Sequence, residues 1–305
     1  MDKLEKNILA EIADLHEVPA GAYNIRLNGS SEMRNTTANI DIVSKEDKSG
    51  IDIYVAPGTK NESVHIPVIL SKSGHQELVY NDFHIGEGAD VLIVAGCGIH
   101  NSGCESSKHD GIHSFYIGKN AHVKYVEKHY GEGEGEGKKV MNPTTVINVD
   151  EGGFFEMETT QIKGVDSTDR KTVATVKEGG KIVVTEKLYT HENQFAETDF
   201  TVDLNGDDSS AHIVSRSVAA GNSKQVFLAK MNGNARCNAH SECDAIILDN
   251  GKVSAIPEIT ANTLEAEMVH EAAIGKIAGE QLVKLMTLGL SEKEAEEQII
   301  NGFLK

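Results

Sequence analysis

One pattern recurs through the middle of the chain: an apolar residue, a turn rich in glycine or acidic residues, then a second apolar residue. Its copies are Ile85-Gly-Glu-Gly-Ala-Asp-Val91, Ile117-Gly-Lys-Asn-Ala-His-Val123, Val149-Asp-Glu-Gly-Gly-Phe-Phe155, Val176-Lys-Glu-Gly-Gly-Lys-Ile182 and the looser Leu204-Asn-Gly-Asp-Asp-Ser-Ser210. Their starting positions differ by 32, 32, 27 and 28 residues. Units of this size stack, because one copy cannot bury its own apolar face. The flanking residues alternate rather than follow a helical period, so each unit reads as strand, Gly-rich corner, strand. Stacked coils would pair as parallel strands about 4.8 Å apart. A sandwich of hairpins fits the repeat as well. In the stacked reading Ile85, Val91, Ile117, Val123, Val149, Phe155, Val176 and Ile182 point inward.

Composition supports a sheet of small side chains. Aromatic residues make up 5%, Trp is absent, and 29 glycines stand against five prolines. A core of Val, Ile and Ala suits stacked strands. The net charge of −18 argues against nucleic acid or an anionic membrane as partner. No run of 18 apolar residues appears, so no membrane span is expected. The N-terminus reads as no export signal, so a cytoplasmic location is expected. Four cysteines in such a chain suit free thiols or metal ligands better than a disulfide framework.

Both ends read as helical. Residues 2–16 place Leu4, Ile8, Ile12 and Leu15 on one face, with Pro19 and Gly21 ending the helix. From about residue 22 the period is two, as in Ile40 and Ile42, then Ile51, Ile53 and Val55. The run Gly131-Glu-Gly-Glu-Gly-Glu-Gly137 reads as a flexible solvated loop; its glycines would not hold Glu132, Glu134 and Glu136 around a cation. In the tail, Leu282, Leu285 and Met286 share a face and Gly289 stops the helix. Ser291-Glu-Lys-Glu294 caps a last helix whose apolar side is Ile299, Ile300 and Phe303. The domains expected are 1–20 (helix), 21–257 (β core) and 258–305 (helical tail).

Thiols and imidazoles cluster twice. Cys237, His240 and Cys243 have the spacing of a metal clip, but on a strand His240 and Cys243 face opposite sides. Cys97, His100 and Cys104, followed by His109 and His113, read as a small zinc site or as a polar loop. No G-x4-G-K-[ST] loop is present, so any ATP chemistry belongs to a partner.

The last 70 residues carry a more specific signal: His270-Glu-Ala-Ala-Ile-Gly-Lys-Ile277, Glu280-Gln-Leu282 and Gly289-Leu-Ser-Glu-Lys-Glu-Ala295. This stretch resembles the SufB/SufD proteins of the SUF system, scaffolds for iron–sulfur cluster assembly. The resemblance implies a right-handed parallel β-helix core with a C-terminal helical tail. Glu271 directly after His270 makes the chain SufB-like at that position, and Ser241-Glu-Cys-Asp-Ala-Ile-Ile-Leu248 resembles the family's thiol-bearing strand. Cys243, His270 and Glu271 are therefore the implied cluster-assembly residues, with Cys237 and His240 auxiliary. Ala95-Gly-Cys97 sits where such proteins accept sulfur, which would need an exposed thiol of low pKa; Cys104 is a further auxiliary thiol.

The implied partners are a SufC-type ABC ATPase docking on Leu282, Leu285 and Met286, a second copy or a SufB/SufD paralogue, a sulfur donor and client apoproteins. The implied cargo is a transient iron–sulfur cluster, and whether a flavin takes part is left open. Under this reading the chain is no enzyme. The rival readings are a zinc-binding structural β-helix protein and a β-helix polysaccharide-cleaving enzyme. The second normally carries an export signal and an Asp, Lys or Arg cleft.

Overall fold

The computed structural model describes residues 1–305, the side chain of Lys163 excepted. It is a β-solenoid of about 8 turns, 58% strand and 11% helix. Each full coil gives one strand to each of two sheets. The first sheet runs, neighbour to neighbour, β2 (Ser30–Asn35), β1 (Ala22–Leu27), β5 (Lys60–Leu70), β7 (Asp90–His100), β9 (His122–Glu132), β12 (Phe154–Lys163), β14 (Lys181–Thr190), β16 (Ser209–Ala219), β18 (Cys237–Ile247) and β20 (Ala266–Gly275). The second runs β3 (Ile40–Ser44), β4 (Gly50–Val55), β6 (Gln76–Ile85), β8 (Ser107–Ile117), the short β10 (Lys139–Met141), β13 (Ser167–Val176), β15 (Phe195–Leu204), β17 (Lys224–Gly233) and β19 (Lys252–Ala261). β11 (Thr144–Val149) also bridges β8 and β13.

The repeat fixes the register. Val91, Val123, Phe155, Ile182, Ala211, Ala239 and Met268 stack in one inner column. Across the core, Ile85, Ile117, Val149, Val176 and Leu204 form another. All eight residues expected to point inward are buried. The corner between the two columns needs a left-handed residue three positions after the first apolar one, and Gly88, Asn120, Gly152 and Gly179 fill it. The looser copy has one more residue in its corner, and Asp208 takes the left-handed position.

Two sequence expectations give way here. The run from Gly131 to Gly137 is no solvated loop. Gly135 N–H donates to Asn101 O at 3.1 Å and Gly137 N–H to Gly103 O at 3.0 Å. A Cβ on Gly133 would stand 2.3 Å from Asn101 O, so glycine lets this coil lie against the backbone of the coil before it. The expected boundary at 257/258 also falls inside a strand. β19 and β20 continue the sheets to Gly275, and the helices start only at α2 (Gly279–Thr287) and α3 (Glu292–Phe303). The last coil hides its signal because no further coil covers its inner face, leaving both strands largely exposed.

The ends differ. Helix α1 (Lys3–Ala13) is capped by reciprocal Asp2–Glu5 hydrogen bonds and stops at Asp14, in the left-handed region, before the expected Pro19. It buries Ile8 and Ile12 over Gly96 and Gly98, where a Cβ on Gly98 would overlap Ile8. The antiparallel strands β2 and β3 end the two sheets on this side. On the other side α3 anchors the tail, with Ile300 and Leu304 packed around Val218. No helix among the described residues is long and apolar enough to cross a membrane.

Val123 is fully buried between Val91 and Phe155. Val123→Asp puts an unpaired charge in that column and should cost at least about 3 kcal/mol. Loss of the cooperative thermal transition is the expected result; a soluble variant that melts like the parent would contradict the stacked register.

Candidate functional site

The implied assembly residues converge on the open end of the solenoid, but not on one point. β18 sends Cys237, Ala239, Ser241 and Cys243 inward and His240, Glu242 and Asp244 outward. Register places His270 beside Ser241 and Glu271 beside Glu242. Cys243 and His270 thus share the inner face of the last two coils, while Glu271 leaves by the outer face. There its Oε2 lies 3.3 Å from His240 Nε2, and the His240 ring packs on His212 at 5.2 Å. Successive strand residues must face opposite ways, so His270 and Glu271 cannot serve one mononuclear site within one chain. For the same reason Cys237, His240 and Cys243 form no metal clip. Among the described residues no three His, Cys, Asp or Glu side chains converge at metal-binding distance.

Cys243 is 1% exposed. Burial first, then the Glu186 and Asp244 carboxylates, push its thiol up to about 12. Burial and the neighbouring His240 lower the pKa of His270, whose ring therefore favours the neutral, ligand-competent form; its Nδ1 is buried without a hydrogen-bond partner.

The second expected cluster is dispersed. Cys97 points inward from β7 at 3% exposure, Cys104 is exposed on a turn, and His100 faces Glu132 at 3.5 Å. They make no common zinc site. Cys97 is buried, and burial with the Glu77 and Glu127 charges raises its pKa well above an ordinary thiol, unlike the exposed thiol of low pKa expected for a sulfur acceptor.

The solenoid interior is more polar than its apolar repeat announces. Arg26 donates to Glu77 at 3.0 Å, and Glu77 lies 3.0 Å from His109 Nδ1. Tyr125 donates to Glu127 at 3.1 Å, and Arg170 donates to the same carboxylate at 2.6 Å. Glu186 accepts from Thr198 and Ser215, both at 2.8 Å, and Ser215 is the register neighbour of Cys243. Burial alone would raise Glu127, but the charges of Arg170 and His129 outweigh it and keep the carboxylate ionised. Glu127, His129, Arg170 and Glu186 escaped the sequence reading. Their only signal was a charged residue at an inward position of the two-residue period.

Fold and tip together define a β-solenoid protein that presents a thiol and an imidazole beside an unpaired strand edge. The chain belongs to the SufBD family, since residues 69–303 match the family model described as SUF system FeS cluster assembly, SufBD core domain. It is 31% identical over 265 residues to an iron-sulfur cluster assembly SufBD family protein of Archaeoglobus fulgidus, covering 85% of this chain and 69% of the relative. A relative of the same description from Methanocaldococcus jannaschii is 29% identical over 286 residues, with 93% and 85% covered. One from Pyrococcus horikoshii is 26% identical over 278 residues, with 88% and 82% covered.

His113 gives a pH dependence. Burial drives its pKa down to about 4 from 6.5. The unfolded chain therefore binds a proton first as pH falls, and stability present above pH 6.5 is lost on the way to pH 4. This amounts to on the order of 3 kcal/mol. The melting temperature of His113→Asn should fall less steeply over that window than the parent's; an identical slope would remove His113 from the acid response.

Proposed function

We propose that this chain is a scaffold subunit for iron–sulfur cluster assembly. It builds its cargo at the open solenoid tip, in a complex with a second copy or a SufB/SufD paralogue, in the cytoplasm. The supporting observation is the incomplete tip itself. A thiol and a neutral imidazole face inward, a carboxylate faces outward, and both β19 and β20 end in unpaired backbone groups. Ile256, Ile259, Val269 and Ile274 stand exposed on the same strands. An apolar edge of that kind favours pairing with another strand. A partner's tip then brings further ligands to the ones this chain supplies.

Thiolate is the preferred ligand of iron in these clusters, so Cys243 makes the first bond. Iron has to displace the thiol proton to do so. His270 and Glu271 exchange more readily than thiolate and suit a cluster that must be handed on to client proteins. The zinc-binding structural alternative gains no support from Cys97, His100 and Cys104, which lie apart.

ATP hydrolysis falls to a SufC-type ABC ATPase docking on the tail. α2 buries none of its residues, and Val283 and Met286 are exposed, whereas Leu282 and Leu285 are half-buried. The docking face is therefore Val283 and Met286, with Leu282 and Leu285 beneath it.

Anaerobic reconstitution with iron and sulfide tests the tip. Cys243→Ala should lose the visible absorption of the cluster while keeping the parent's circular dichroism, and Glu271→Ala should retain only part of it. A Cys243→Ala protein that assembles as much cluster and matures a client as well would place the site elsewhere.

The tail is tested separately. Val283→Glu with Met286→Glu should abolish co-purification with the ATPase and leave melting unchanged. Retained binding would move the docking site onto the solenoid.

A further inference from the structure

An open trough of about 740 Å³ crosses the outer face of the second sheet, between β3 and β13 rather than at the tip. One outward column runs along it: Asp41, Tyr54, His84, Tyr116, Asn148 and Thr175 are register neighbours in that order. Its three rings stack. Tyr54 lies 4.7 Å from His84 with the ring planes 10° apart, and His84 lies 5.1 Å from Tyr116 with the planes 7° apart. Tyr54 and Tyr116 are nonetheless 47% and 46% exposed. Their positions face solvent in the two-residue period, so the rings add nothing to the core.

The stack stops at Tyr116. Asn148 and Thr175 hold the next two rungs and are shorter than a tyrosine ring, which leaves the outer part of Tyr116's second face open. Their side chains make no hydrogen bond among the described residues. The floor beside them is bare backbone: a Cβ on Gly118 would stand 2.6 Å from Ile85 O, and one on Gly86 2.4 Å from Pro57 N. At the far end Glu62 accepts from Thr37 at 2.6 Å and from Asn39 at 2.5 Å, which braces the wall. Rings, floor and wall are in place before a ligand arrives, so binding orders little. A cleft of this volume, mostly apolar with a few polar groups, is the usual form of a small-molecule site.

Charge and ring geometry narrow the ligand. Among the described residues the lining carries Asp41 and Asp150 against one ammonium, Lys177, which already lies 3.2 Å from Asp150. The lining leaves no free cation for a phosphate or carboxylate, and the net charge of −18 repels anions further. A sugar would lie along a row of ring faces, but both faces of His84 are covered and only the ends of the stack are free. A flat ring laid on Tyr116 continues the ladder. The Asn148 amide and the Thr175 hydroxyl then offer donors and acceptors to its edge.

We propose that this trough binds an uncharged nucleobase or nucleoside, stacked on the open face of Tyr116. The site goes beyond the assembly reading and stands whether or not the tip builds clusters.

Calorimetry on the full chain tests it, with adenosine, guanosine, uridine and cytidine as probes. At least one should bind saturably at millimolar concentration or below, and its monophosphate should bind several-fold more weakly. Tyr116→Ala should weaken binding at least about tenfold, the size of one lost base–ring stack. Asn148→Tyr puts a fourth ring on the open face and should abolish binding. Both changes lie on the solvent side of the sheet, and circular dichroism and melting check the fold; if Tyr116→Ala does not fold, Asn148→Tyr decides. Cys243→Ala should bind like the parent, which separates the trough from the tip. A parent that binds none of the four nucleosides overturns the proposal. So does an Asn148→Tyr protein that binds like the parent, or a monophosphate that binds more tightly than its nucleoside.

Discussion

Between the two ends of the stack, the inward side chains of this molecule rest on the side chains of the same register in the next coil. That stacking leaves one residue in two to face the core and forbids any slip, because a slip of one position would turn the whole apolar set outward. The Phe83 and Phe115 rings stack at 4.3 Å in one such column, and Phe155 meets Phe115 across the core at 4.9 Å, which shows what the constraint gains. It also decides the chemistry at the tip. His270 and Glu271 are adjacent in sequence and belong to opposite sides of a wall.

The same constraint forces company on interior charges. Glu127 and Arg170 are each 4% exposed and meet at 2.6 Å. A buried pair of this kind adds little net stability, because desolvation offsets the attraction, but losing one partner strands the other. Its contribution is to position: the pair orients Tyr125, and Tyr125 in turn orients His113.

The apolar and turn residues of the repeat made the strands and corners readable, and the resemblance to the SufB/SufD family, not the repeat alone, chose a β-helix over a sandwich of hairpins. Ile85 and Val91, or Ile117 and Val123, bracket a corner, and corners at near-constant spacing imply repeated strand units. The helical tail was readable for the same reason, through Ser291 and Glu294 as a cap. The polar interior was not, because Glu127 and Arg170 lie 43 residues apart and single-chain periodicity says nothing about which charges meet. Glycines 133 to 137 looked like slack chain and are tight packing, since only the neighbouring backbone reveals the need for a missing Cβ. The final coil was mistaken for tail because its inner residues, Ala266, Met268, His270 and Ala272, have no coil above them to select for bulk. At the tip, Cys243, His270 and Glu271 entered as candidates through the family resemblance, and their separation onto two faces required the register.

The two ends of the stack are chemically unlike. At the N-terminal end β2 reverses direction and presents Ser30, Ser31 and Glu32, a polar margin that discourages further strands. At the C-terminal end the strands simply stop. A rod that could accept strands at both ends would join head to tail without limit, as fibrils do. A rod with a single adhesive face, as proposed for the C-terminal edge, would stop associating at a pair. In that proposed assembly the blunt N-terminal margin would set the size from the end that takes no part in it.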